Sequence, residues 1–116
     1  MNYPEPREIV LQLTLKDVFL NFFVEQEEII SNLLNEQLLR SGTRLYVREG
    51  ALFMETQQGM KKVVAFSRAF NQTLMQLQYK GYVPYSATVR FVVGWTRQDR
   101  QEMTEVILPD IWFRKL

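Results

Sequence analysis

Residues 60–79, MKKVVAFSRAFNQTLMQLQY, decide how the rest of the chain is read. Within them Val63, Phe66, Phe70, Leu74 and Leu77 recur at three- and four-residue intervals, the spacing that lines one face of a helix. Lys80-Gly81 supplies a stop. The pattern predicts a helix over 60–79. Upstream of it, Thr43 to Arg48 and Ala51 to Thr56 flank Glu49-Gly50, where Gly supports a positive φ, and they read as a hairpin broken off by Gln57-Gln58-Gly59. Further back, Glu8 to Leu15 alternates like a strand, with Ile9, Leu11, Leu13 and Leu15 on one side. From Asp17 the spacing changes to three and four, and Thr14, Asp17, Arg40 and Gly42 supply start and stop chemistry, so a helix over 17–40 is expected.

Downstream, Tyr82-Val83-Pro84-Tyr85 reads as a loop leading into a strand from Ser86 to Trp95, with Ala87, Val89, Phe91, Val93 and Trp95 sharing a face. After the polar turn Arg97 to Arg100, a last strand runs from Glu102 to Leu108 and is stopped by Pro109. Strand, helix, strand, strand, helix, strand is the order of a split β-α-β-β-α-β layout, so the chain resembles the ferredoxin-like superfold with an additional C-terminal strand. The expected class is α+β, with two helices on one face of an antiparallel sheet. Phe22, Ile29, Leu33, Phe70, Leu74 and Phe91 are then expected to pack together. Residues 1–116 read as a single domain in which 109–116 form an aromatic tail.

The 116 residues contain neither Cys nor His, which removes disulfides, thiol nucleophiles, imidazole proton shuttles and zinc sites built on thiolate or imidazole. Glycine-rich phosphate loops and GxSxG are missing too, since the five glycines stand apart. Glu102, Glu105 and Asp110 are the only carboxylates considered for Mg²⁺ or acid-base chemistry, and their spacing fits a soluble turn and strand edge better. No catalytic, cofactor-binding or metal residue is therefore assigned, and no enzyme is expected. The opening MNYPEPREIV has no basic segment ahead of an apolar run, and no apolar stretch approaches the length of a membrane span. A cytoplasmic protein without membrane contact is expected.

With 14 basic and 13 acidic residues, the net charge of +1 gives no whole-molecule attraction to nucleic acid. Two local features point to binding. Tyr82 and Tyr85 stand together in one segment and Trp112 and Phe113 follow the aliphatic Ile111 in another, and aromatic anchors dominate protein interfaces. The leading expectation is a non-enzymatic interaction module, a subunit, adaptor or regulator that uses a sheet edge and the aromatic tail to bind a protein partner or form a homo-oligomer. The alternative is a nucleic-acid-binding module. If the helices cover one face of the sheet, the other shows Val10, Gln12, Thr14, Arg44, Tyr46, Arg48, Thr88, Arg90 and Val92, and Arg44, Tyr46, Arg48 and Arg90 supply guanidinium groups for phosphate and a ring for stacking. The third-strand candidate Ala51 to Thr56 lacks the glycine-aromatic pattern of an RNA-recognition motif.

Overall fold

A two-residue turn at Gln57-Gln58 reverses the chain where a helix was expected to begin. Thr56 Oγ1 donates to the Gly59 carbonyl at 2.6 Å and accepts from the Gln58 N–H at 3.2 Å, and Gly59 takes a φ of +104° that a side chain would resist. The computed structural model describes residues 5–99 and 101–116. Its elements are β1 (Glu8–Gln12), α1 (Leu20–Glu25), α2 (Glu27–Asn35), β2 (Arg44–Arg48), β3 (Ala51–Thr56), β4 (Gly59–Ala65), α3 (Arg68–Tyr79), β5 (Tyr82–Thr96) and β6 (Met103–Lys115). They form an α+β fold around a six-stranded antiparallel sheet of order β1-β6-β5-β2-β3-β4. The strand order and the sixth strand differ from the split β-α-β-β-α-β layout.

The extra strand is β4, taken from the first third of the expected helix over 60–79. Val63 and Val64 are β-branched and both are fully buried, Val64 by its register opposite Leu52 and Val63 as the extra residue of the bulge. The helix starts only at Arg68, where Ser67 accepts the Phe70 N–H at 3.1 Å as its cap. The expected helix over 17–40 is also shorter and divided. Residues 17–19 are held extended: Val18 bridges Phe66, the Phe19 N–H donates to the Ala65 carbonyl at 2.8 Å, and the Ser67 N–H donates to the Asp17 carbonyl at 2.9 Å. Gln26 (φ −106°, ψ 22°) separates α1 from α2, and Gln37 at φ +60° lies beyond the end of α2. Asp17 accepts the Thr14 N–H in a turn and caps no helix.

That extended segment has an architectural consequence. β1 is one edge of the sheet and β4 the other, and residues 13–19 run from the first to the second. The chain therefore closes over one end of the sheet, and its pairing with Ala65 and Phe66 covers that end of the β4 edge. Register and burial agree over residues 87–89 of β5 and 110–113 of β6, whereas Val106 and Leu108 are buried although they alternate with Ile107. Leu45, Leu52, Val64, Ala87, Val89, Ile107, Ile111 and Phe113 share one face and join Phe22, Phe23, Ile30, Leu33 and Phe70 of the helices in one core. Ile29 and Phe91, expected in that core, are 46% and 52% exposed. For Phe91 the reason is a register shift between Val89 and Phe91, which sends Phe91, Val93 and Trp95 to the face opposite Ala87 and Val89.

The same irregularity admits Pro109. It pairs with Val89 beside the bulge, where its missing N–H interrupts least, and its carbonyl still accepts from the Leu13 N–H at 3.0 Å. Thus β6 does not stop at Leu108. Residues 109–115 stay in the sheet between β1 and β5, in place of the expected tail. The Tyr82 to Tyr85 segment is likewise strand and not loop, with Pro84 next to a second register shift. A 15-residue strand spans about 50 Å, which accounts for a longest dimension of 53 Å and a radius of gyration of 15.2 Å, above the roughly 13 Å of a compact domain of about this size. At one end of β6, Lys115 donates to Glu5 at 2.6 Å, a contact that holds the Glu5 carboxyl below and the Lys115 ammonium above their ordinary values. Among the described residues no helix is long and apolar enough to cross a membrane.

Candidate functional site

Because side chains alternate along a strand, every residue opposite the core in register falls on the outer face of the sheet. Three rows cross the strands there. The middle row is Val10, Trp112 and Ser86 in register across β1, β6 and β5, and then, beyond the end of the β2–β5 pairing, Tyr46, Phe53 and Lys62 across β2, β3 and β4. Two residues away along the strands lies a row of Gln12, Asp110, Thr88, Arg44 and Glu55. On the other side lie Glu8, Arg114 and Val83 in register and, beyond the cleft, Arg48 and the buried Ala51, with Tyr85 the extra residue between Pro84 and Ser86. Val10, Gln12, Arg44, Arg48 and Arg114 are exposed, and Tyr46, Phe53 and Trp112 are half-buried, as rings lying against a sheet are.

Arg44, Tyr46 and Arg48 come together as their alternation in β2 implies. The strand β2 meets β5 only at Arg44↔Thr88 and Leu45↔Ala87 and then pairs with β3 alone, so a cleft of about 210 Å³ opens between Tyr46–Arg48 and Pro84–Ser86. No carboxylate lines it. The Arg44 guanidinium lies 5.3 Å from the centre of the Tyr46 ring, and Arg114 lies 4.4 Å from that of Tyr85 across the cleft. Among the described residues neither Arg44 nor Arg48 has an ion-pair partner, whereas Arg114 has Glu8 at 3.7 Å. Free guanidinium groups beside ring faces are what a phosphate-bearing ligand with flat bases requires.

Arg90 does something else. It sits at the β5 bulge with its Nε 2.9 Å from Asp110 Oδ1, and its terminal nitrogen donates to the Leu13 carbonyl. Both side chains are mostly covered, so this guanidinium joins β1, β5 and β6 and is not presented to solvent. Replacing Arg90 with Ala strands Asp110 and the Leu13 carbonyl, and is expected to cost about 2 kcal/mol of stability. A denaturant titration checks it; a change below a few tenths would show that the pair does not hold the bulge. Thr14 and Val92 also leave the expected outer set, the first beyond β1 and the second turned inward by the bulge.

The residues expected to meet a partner divide. Tyr82, Ile111 and Phe113 are buried in the chain's own core, and the Tyr82 hydroxyl donates to the Pro6 carbonyl. Trp112 and Tyr85 face outward beside the arginines, so they join the site assigned to the other reading. Phe53 and Arg114 were missed. The alternation of residues 110–115 carries the signal for Arg114 on this face, and Pro109, which reads locally as a strand end, masks it.

Among the described residues no group of three carboxylates is placed to hold a metal ion, and Glu105 and Asp110, five residues apart on β6, fall on opposite faces. A larger hollow of about 620 Å³ lies between α2 and the β3–β4 turn, where Ile29, Leu33 and Leu38 are mixed with Glu36, Glu55 and Lys61 and no set of polar groups converges. No protein-family model, curated protein or solved structure matches this chain.

Proposed function

We propose that the chain is a non-catalytic binding module that holds single-stranded nucleic acid on the outer face of its sheet. The observation that carries this reading is the acid-free cleft in which Arg44 and Arg48 flank Tyr46, with Tyr85 opposite. Single strands offer unstacked bases to rings and phosphates to guanidinium groups, whereas duplexes hide the bases. With a net charge of only +1, binding depends on this face and not on the whole molecule's field. Titrating a short single-stranded oligonucleotide against Trp fluorescence at about 50 mM salt, with a duplex of the same sequence in parallel, tests it. Saturable quenching by the single strand and weaker binding of the duplex are expected. Equal affinity for both, or no binding, rejects the reading. With no histidine and only arginines as cations in the cleft, affinity is expected to stay level from about pH 6 to 8.

A second reading, contact with a protein partner or a second copy of the chain, now rests on α3 in place of the C-terminal residues. Its outer stripe of Ala69, Gln72, Met75, Gln76 and Tyr79 carries no charge, with Met75 69% and Tyr79 94% exposed. Depletion of charge with exposed Met and Tyr is the composition of an interface. Association through it would barely respond to salt, which separates it from phosphate binding.

A further inference from the structure

The outer face is not symmetric about its rings, and the asymmetry has a direction. Trp112, Tyr46 and Phe53 lie in one row running across the strands. Tyr46 and Phe53 are on adjacent paired strands, about 5 Å apart, and Trp112 lies across the cleft from Tyr46, on the far side of β5. The row on one side of the rings sets the exposed Glu55 against Arg44, with Asp110 neutralised by Arg90, and the row on the other contains Arg48 and Arg114 against the single carboxylate of Glu8, which pairs with Arg114. A polyanion laid beside the rings meets no net charge in the first row and a net positive charge in the second, so it is drawn toward Arg48 and Arg114.

We infer that a single strand crosses the sheet at right angles to its β-strands, bases on Trp112, Tyr46 and Phe53 and phosphates over Arg48 and Arg114. This rests on the nucleic-acid reading above and adds the path, the site size and the side on which the backbone lies. Two residues along a strand, about 7 Å, separate the ring row from the arginine row, a span suited to a nucleotide from base to phosphate. One base per ring gives a site of about three nucleotides. The path also gives the Arg114–Tyr85 pair a role, since it stands where the backbone crosses from β6 to β2. The competing path runs lengthwise in the cleft along β2, using Tyr46 and Tyr85 and leaving Trp112 and Phe53 unused.

Affinity is measured by fluorescence anisotropy for labelled oligothymidylates from about two to eight nucleotides, with wild type, Tyr46→Ala, Trp112→Ala, Trp112→Phe, Phe53→Ala, Phe53→Tyr and Arg114→Ala. Circular dichroism confirms that each variant is folded. The transverse path requires Trp112→Ala and Phe53→Ala each to weaken binding roughly 5- to 150-fold, with Trp112→Phe and Phe53→Tyr largely restoring it because a ring remains. It requires Arg114→Ala to reduce the salt slope by about 0.7, and affinity to rise up to about three nucleotides and then level off. If Tyr46→Ala weakens binding while Trp112→Ala and Phe53→Ala do not, nucleic-acid binding stands and the transverse path is overturned. If no oligothymidylate binds wild type, both the path and the reading beneath it fall.

Discussion

Removal of residues 110–116 is expected to abolish the cooperative thermal transition of the domain. These residues are the half of β6 that pairs with β1 on one side and β5 on the other, so their loss strips two strands of their hydrogen-bond partner together. It also empties the places of Ile111 and Phe113, which are 0% and 1% exposed. Phe113→Ala alone is expected to cost about 3–5 kcal/mol, a large share of the 5–15 kcal/mol that holds a typical domain together. The check is chemical denaturation of the point variant and a melting curve of the truncated chain. A truncated chain that still melts cooperatively, having merely lost self-association, would mean that the segment is a docking tail and that β6 ends at Leu108.

How much of this was legible in the sequence depended on whether local pattern and long-range pairing agreed. In β2 and β3 they agreed: Arg44, Tyr46 and Arg48 alternate with Leu45 and Val47, and register places the two sets on opposite faces. Over 60–65 they conflicted. Val63 falls on the same stripe as Phe66 and Phe70, and only the partnership with β3, invisible locally, makes the segment a strand. At Asp17 to Phe19 the strand-like link to β4 overrides helical spacing in the same way. Bulges were the other hidden term. Two of them each add one residue to β5 and one adds Val63 to β4, and a one-residue shift reverses which side chains face the core, so Phe91 and Val92 both change sides at the single irregularity at Arg90. The site was half legible for the same reason: its β2 residues were found, and its β6 residues were hidden behind Pro109.

Combining Tyr46→Ala with Arg48→Ala is expected to weaken single-strand binding by about a hundredfold without unfolding the protein. Stacking on one ring contributes about 1–3 kcal/mol per base, and one phosphate contact adds to it. Arg48 is exposed and has no ion-pair partner among the described residues, and Tyr46 lies on the outer face away from the core, so neither change opens a cavity. Anisotropy titration alongside a melting curve separates the two effects. A folded double variant that binds as tightly as wild type would remove the cleft from the site.

The salt dependence of binding bears most directly on the outer face as a phosphate-binding surface. For wild type and a single-stranded oligonucleotide, the logarithm of the association constant is plotted against the logarithm of salt concentration. Two or three phosphates neutralised by Arg44, Arg48 and Arg114 predict a slope between about −1.4 and −2.1. A slope near zero, or no detectable binding at about 50 mM salt, would contradict it and leave the uncharged face of α3 as the working surface of the molecule.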